Sequence, residues 1–279
     1  MLVTRKLGWG VLGAAGIADR RTIPEGIAPA RNARLVAVQS RVAERADKLA
    51  AKYGEVAAYV DDDDLLNDPL VEAVYIATPV DRHLEQVLAA AKAGKHVLVE
   101  KPMGLTVRES ERMVQACKKA KVKFGIAFMM RFHAAHREIL RLVKAGALGT
   151  PVMAKAQLLC WYPPMKNNWR QDPKRGGGGA VMDLSSHCID LLAMFFGKIK
   201  AVTALTGTLV HKYKVDDSSA VLLEFASGAM ACVDCHFSVP DAASVSDLEL
   251  YGSSGAIRAT QTIGQGAGGQ LASVQGQVR

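Results

Sequence analysis

Residues 7–18 read LGWGVLGAAGIA and run on into DRR at 19–21. Large apolar residues (Leu7, Trp9, Val11, Leu12) give way to small ones (Gly13, Gly16, Ala18), with Gly10 already inside the run, and then to charge. Such a run predicts a buried strand, a tight turn and a helix, the arrangement in which a dinucleotide pyrophosphate rests on a helix N-terminus. The G-x-G-x-x-G/A pattern uses its middle glycine to let backbone approach the phosphates. Here that place is Ala15, the smallest departure, with Gly16 beside it. Gly13, Ala15, Gly16 and Ile17 are the candidate contacts, and an ordinary glycine-rich turn is the alternative. Arg5 and Lys6 ahead of the run imitate a signal peptide, but the repeated glycine and the charged continuation favour strand-turn-helix.

The pattern continues to about residue 128. Apolar runs at 34–40 (RLVAVQS), 73–78 (AVYIAT), 96–100 (HVLVE) and 123–128 (KFGIAF) alternate with segments of helical spacing such as 41–54 and 81–94. Fully apolar strands alternating with helices predict a parallel sheet covered on both faces, so residues 1–128 read as a Rossmann dinucleotide-binding domain. From 129 to 279 the runs lengthen (151–162, 198–210, 219–225, 229–239, 246–252) and one strong helix, 180–197, interrupts them. This half reads as an α+β domain with an open, mostly antiparallel sheet, for substrate binding and oligomerisation. The whole is α/β.

A chain of 279 residues with 49% hydrophobic content can bury two cores. Its net charge of +8 is densest at 117–124, CKKAKVKF. That stretch falls where a helix should end, and cations there suit the helix dipole, so no nucleic-acid partner is expected. No apolar run approaches membrane-spanning length, and no membrane partner is expected. Five scattered cysteines suit a reducing compartment, hence a cytoplasmic location. The CVDC at 232–235 followed by His236 lacks a second pair, and residues three apart on a strand face opposite ways, so no metal is expected. Cys188 reads as a small buried hydrophobe.

Ligands of a doubly wound sheet lie beyond the carboxyl ends of its strands. The second strand ends in Gln39, Ser40 and Arg41, where an NAD-binding strand would end in a carboxylate. A hydroxyl and a guanidinium suit a 2′-phosphate, so NADP is expected, with NAD possible; the alternative is that Arg41 opens a solvated helix. The fourth strand ends in Thr78 and Pro79, and the fifth in Glu100, Lys101 and Pro102. Polar groups leaving apolar strands at the ligand edge point to a site.

Together AGKHVLVEKP (93–102), GVLGAAGIA (10–18), YIATPVDRH (75–83) and GGGGAVMDLSSHCIDLL (176–192) resemble the glucose-fructose oxidoreductase/inositol dehydrogenase/MocA family, across residues 7 to about 260. The resemblance implies that Glu100 lies near the nicotinamide ribose, Lys101 near the reacting oxygen, and that Pro102 fixes the turn, often as a cis bond. It implies that Thr78, Pro79 and His83 line the cofactor, and that Asp183 and His187 are the family's D-x-x-x-H pair. Spacing of four puts both on one helix face, where a plain helix pair is the alternative. His187, as a side chain whose ordinary pKa is about 6.5, suits proton exchange on a hydroxyl that gains or loses hydride. Lys101 would polarise the same oxygen or share that proton, with glycines 176–179 allowing the two to converge on a cleft between domains. Asp183 would orient the imidazole or hold a second hydroxyl; Asp190 follows at helical spacing and serves that face.

Within the family, residues 131–139 and 167–179 are most similar to members acting on sugars, anhydrosugars and cyclic diols. Trp161, Tyr162, Trp169 and Arg170 then floor a polyol pocket, or the tryptophans are core residues. The expected activity is NADP-dependent hydride transfer to or from a carbon bearing a hydroxyl or carbonyl. A nucleotide-sensing regulator without turnover and a cofactor-assisted glycosidase are the alternatives. A homodimer or homotetramer through the second sheet is expected, because an apolar sheet face would otherwise meet water. Family members continue past this length with a further strand and helix. The tail here, GQGAGGQLASVQGQVR (264–279), lacks apolar periodicity and is expected to be disordered or loosely held.

Overall fold

A computed structural model describes residues 5–276. The chain divides between Ala127 and Phe128 into two compact units. The first is a six-stranded parallel sheet in the order β3-β2-β1-β4-β5-β6. Its strands are β1 (Leu7–Leu12), β2 (Ala33–Gln39), β3 (Ala57–Tyr59), β4 (Ala73–Ile76), β5 (His96–Val99) and β6 (Phe124–Ile126). Between them run α1 (Ala18–Ile27), α2 (Ala43–Ala50), α3 (Asp62–Asn67), α4 (His83–Lys92) and α5 (Val107–Lys119).

Both faces of this sheet are buried, which is why its strands read as continuous apolar runs. On one face Leu12, Val74, Ile76, Val97 and Val99 pack with Val87 and Ala90 of α4 and Met113 and Cys117 of α5. On the other, Val11, Val38 and Tyr75 pack with Ile23 of α1 and Leu49 of α2. Burying a Leu or Ile fully stabilises by roughly 1.5–3 kcal/mol, so the layers hold the strand tips rigidly. The helix α1 is wound wide: Ala28 N–H reaches the Ile23 carbonyl five residues back, and Pro24 inside it has no N–H to give. Three tyrosine-ended residues, AAY, form β3, too short and too mixed to show as a run.

The second unit is a seven-stranded sheet in the order β13-β12-β11-β7-β10-β9-β8. Every adjacent pair is antiparallel except β7 with β10, so the sheet is mostly antiparallel as expected. Its strands are β7 (Pro151–Leu159), β8 (Ile199–Gly207), β9 (Ser218–Phe225), β10 (Met230–His236), β11 (Ser246–Gly252), β12 (Gly255–Thr260) and β13 (Gln270–Gln275). One face is covered by α6 (Ala134–Lys144) and α7 (Ser186–Phe196): Ile139, Leu191, Leu192 and Phe195 meet Ala154, Ala156, Val221, Val233 and Leu250. Cys188 and Cys235 are both fully buried there, their sulfurs 3.8 Å apart and unbridged. The opposite face exposes Leu205, Leu222 and Met230 toward one side.

Two expectations are corrected. Part of the tail, Gln270–Gln275, is not loose: it pairs with β12 along its whole length, after Gly269 reverses the chain at φ +108°. Apolar periodicity was the wrong signal, because the ladder draws on backbone hydrogen bonds offered by the β12 edge, with Leu271 alone packing inward. The rest of that tail beyond residue 276 lies outside the described residues. The second correction concerns Pro173–Phe196, which by length and composition alone is apolar enough to cross a membrane, although no apolar run had marked it; half of it is buried within the protein, and α7 supplies core.

Candidate active site

At the end of β1 the glycine turn forms as the sequence demands. Gly13 sits at φ +90°, where a Cβ would press within 3.0 Å of Ala77 and Thr78. Its N–H donates to the Gln39 carbonyl at 3.1 Å, and that of Ala14 does so at 2.8 Å, tying the turn to the tip of β2. Gly16, at φ +55°, has no atom within 4 Å of a Cβ position, so the space over the turn is open. Ala15 is exposed and Ile17 opens α1. Arg20, which sequence reading passed over, donates Nε to the Gly16 carbonyl at 3.2 Å and so adds a guanidinium to this turn. Backbone amides at a helix start with open space above suit a dinucleotide pyrophosphate.

At the β2 tip Gln39 turns inward: its Oε1 faces Gly13 N–H at 3.4 Å and its Nε2 donates to the Val60 carbonyl at 2.6 Å. The side chain at the place of the usual acidic residue therefore braces β1, β2 and the end of β3. Ser40 accepts from Val42 N–H at 3.2 Å, a local turn that keeps its own O–H available as a donor, while Arg41 is exposed, with Arg45 exposed one turn on.

The β4 and β5 tips are joined by His83, which is fully buried. Its Nε2 lies 3.0 Å from the Thr78 carbonyl, and its Nδ1 lies 3.2 Å from those of Pro102 and Met103. Burial lowers its pKa despite the carbonyls, so the ring is neutral and donates from one nitrogen at a time. His83 thus holds the two loops together from beneath them. Thr78 Oγ1 donates to Gln86 at 2.6 Å, which fixes the hydroxyl beside Pro79. Glu100 accepts the Tyr75 hydroxyl, which itself accepts from Thr22 at 3.0 Å; burial first, and then the carboxylate, push the Tyr75 pKa up and keep its proton in place. The Lys101-Pro102 bond is cis, and Lys101 is half-buried at the end of β5. Thr106, accepting from Glu109 N–H at 3.1 Å, stops the loop by capping α5, and Glu109 accepts Leu105 N–H at 2.9 Å. A cavity of about 300 Å³ is bounded by Trp9, Thr22, Tyr75 and Leu98, and two of these, Thr22 and Tyr75, are the hydroxyls in line with Glu100.

In the second unit the helix predicted over 180–197 begins instead as a π turn, Val181–Ser185, in which Ser186 N–H reaches the Val181 carbonyl; α7 follows. Asp183 lies in the wide turn and His187, 6% exposed, in the first turn of α7. Arg170 Nε is 3.5 Å from Asp183 Oδ1, and its guanidinium lies 4.3 Å over the Trp169 ring. Trp161 is 41% exposed and packs at 4.6 Å on His211, and neither tryptophan joins the hydrophobic core. Phe128 meets the His187 ring edge-on at 6.0 Å. Asp190 is taken by Arg131 in a two-pronged pair at 2.6 and 2.7 Å, a bracing role.

Residues 7–128 match the family described as "Oxidoreductase family, NAD-binding Rossmann fold", and residues 136–258 match the GFO/IDH/MocA C-terminal domain. The 1,5-anhydro-D-fructose reductase of Ensifer adhaerens is 32% identical over 251 residues, 89% of this chain and 74% of that protein. The mouse (Mus musculus) trans-1,2-dihydrobenzene-1,2-diol dehydrogenase is 32% identical over 244 residues, 86% and 72% of the two chains. The crystal structure of an aldose-aldose oxidoreductase from Caulobacter crescentus, complexed with glycerol, superposes with a TM-score of 0.86 at 30% identity, covering 99% of this chain and 85% of that one. The chain belongs to the GFO/IDH/MocA oxidoreductase family.

As a member of that family it is an NAD(P)-dependent oxidoreductase with a Rossmann unit for the dinucleotide. Sequence reading missed the bracing role of Gln39 and passed over Arg20 and His211. Gln39 was visible as the wrong residue type at an informative place; Arg20 and His211 carried no signal, because their partners are backbone atoms chosen by the fold.

Proposed function

We propose that this GFO/IDH/MocA protein is an NADP-dependent dehydrogenase or reductase of a sugar, anhydrosugar or cyclic diol. The observation that carries the reading is Lys101, half-buried between Glu100 and Pro102 at the carboxyl end of β5, the edge at which a doubly wound sheet takes its ligand. The activities for which the two relatives are named, on an anhydrosugar and on a cyclic diol, agree with a polyol substrate.

The dinucleotide supplies the carbon that gives or accepts hydride. Gly13, Ala15, Gly16 and Ile17 would hold its pyrophosphate, Ser40 and Arg41 its 2′-phosphate, and Thr78, Pro79 and Glu100 the nicotinamide ribose side, with His83 setting those tips. Lys101 polarises the substrate oxygen whose carbon exchanges hydride, and His187 takes or returns the proton on it. Asp183 holds a neighbouring hydroxyl or the imidazole, and Arg170, paired to it, adds planar donors that suit vicinal hydroxyls. Trp161 and Trp169 offer apolar faces to a sugar ring. The unit that ends at Ala127 would serve the dinucleotide, and the unit that begins at Phe128 substrate and assembly.

The exposed Leu205, Leu222 and Met230 on the open face of the second sheet support a homodimer or homotetramer. Five unbridged cysteines support a reducing, cytoplasmic setting. A screen of sugars, anhydrosugars and cyclic diols with NADP and with NADPH, followed by absorbance of the reduced nicotinamide, tests the assignment; no turnover with any of them in protein shown to bind the cofactor contradicts it.

A further inference from the structure

Three consecutive amides at the start of the Asp183–His187 segment are taken up by one residue. Gly179 N–H donates to Asp216 Oδ1 at 2.8 Å, Ala180 N–H to the Asp216 carbonyl at 3.0 Å, and Val181 N–H to Asp216 Oδ2 at 2.8 Å. A helix leaves these first amides without internal partners, and a carboxylate is the natural complement to their partial positive charge. Gly179 passes the constraint on, because its carbonyl accepts Asp183 N–H at 2.9 Å. The fit admits only glycine: a Cβ on Gly179 would stand 1.8 Å from the Asp216 carbonyl oxygen. Asp216 is itself set firmly. Its neighbour Asp217, fully buried, accepts Leu209, Val210 and His211 N–H at 2.8–2.9 Å, and β9 begins directly after.

We propose that Asp216 is a positioning residue for the Asp183 and His187 pair, an inference that rests on the active-site reading above. The π turn at Val181–Ser185 packs one more residue into a turn than an α-helix does, and such turns persist where surroundings impose them. Three bonds to one rigid residue impose it here. Without the carboxylate the amides of 179 and 181 turn to water, and the turn is free to rewind. Asp183 would then shift relative to Arg170, and His187 relative to both.

The test compares Asp216→Ala and Asp216→Asn in the full chain with the unaltered protein and with His187→Ala. Readouts are amide exchange at Gly179 and Val181, the His187 imidazole titration by NMR, Tm, NADP affinity, and turnover of the best substrate of the sugar and diol screen. Asp216→Ala is expected to speed exchange at both amides at least about tenfold, to move the imidazole midpoint, and to lower kcat by about tenfold or more with NADP affinity within about twofold. Asp216→Asn, which keeps one acceptor oxygen, should fall between. A folded Asp216→Ala protein whose His187 titrates unchanged overturns the proposal, and so does a lower Tm with unchanged kcat and titration. Should Asp216→Ala not fold, Asp216→Asn is judged by the same readouts. Unaltered turnover in His187→Ala would sink the active-site reading instead, while the NMR titration still decides the positioning claim.

Discussion

Arg170 faces Asp183 across the entry to the π turn, Nε 3.5 Å from Oδ1, while the same guanidinium lies over the Trp169 ring. The pair is partly exposed, so its attraction contributes no more than about 1 kcal/mol to stability. What it fixes is direction: stacking and pairing together leave the planar fork one orientation. Lysine keeps the charge but neither the plane nor the stack. Arg170→Lys is expected to raise KM for the polyol about tenfold with little change in Tm. Steady-state kinetics and a melting curve check it; an unchanged KM would remove Arg170 from the substrate side.

The β2 tip makes a second prediction. NADP should bind at least about tenfold more tightly than NAD, about 1.4 kcal/mol, through Ser40 and Arg41. Arg41→Ala should erase most of that difference. Calorimetry that finds NAD binding as tightly as NADP in the unaltered protein contradicts the assignment.

Asp217 predicts an acid limb of stability. Burial acts to raise its pKa, but three backbone N–H groups and the Ser218 hydroxyl outweigh it and bring the carboxyl down from 3.8 to about 2. A depressed carboxyl stabilises the native state above its unfolded pKa, and the contribution, about 2 kcal/mol, is lost as pH falls from about 4 toward 2. Asp217→Asn should therefore cost about 2 kcal/mol in denaturant unfolding at neutral pH, with the gap to the unaltered protein closing in that acid window. A gap independent of pH would mean that packing, not charge, is the source.

His83 acts at milder pH. Burial lowers its pKa below the ordinary 6.5, and His136, also fully buried and hydrogen-bonded to the Met130 carbonyl, is shifted the same way. The unfolded chain then binds more protons below about pH 6.5, so this stability is complete above that pH and is lost as pH falls through it. The urea midpoint should drop between about pH 7 and 5, and less so in a His83→Gln protein that still folds. A flat profile in the unaltered protein contradicts the buried, neutral ring.

The first unit was legible because each central strand is buried on both faces and so spelled itself as an apolar run; Leu12, Ile76 and Val99 end those runs where the site begins. Legibility failed where backbone rather than side chains carried the energy. Strand β13 gains from the β12 edge, and the π turn from Asp216, thirty-odd residues away in sequence and adjacent only in the fold. The pair Asp216-Asp217 directly before an apolar strand was the one visible hint, two carboxylates where a solvated loop would need neither. Trp161 and Trp169, open between core and surface from sequence, stand outside the core because the loop that carries them packs on His211 and Arg170 instead.

The central claim is that Lys101 and His187 act on the reacting oxygen and not on the dinucleotide. Its most direct test is kcat for the best substrate of the sugar and diol screen in Lys101→Ala and His187→Ala, with NADP affinity measured on the same preparations. The account predicts a loss of about 10²- to 10⁴-fold in each with NADP binding within a few-fold. A loss below about tenfold in either protein, or a collapse of NADP binding that explains the loss, would contradict it.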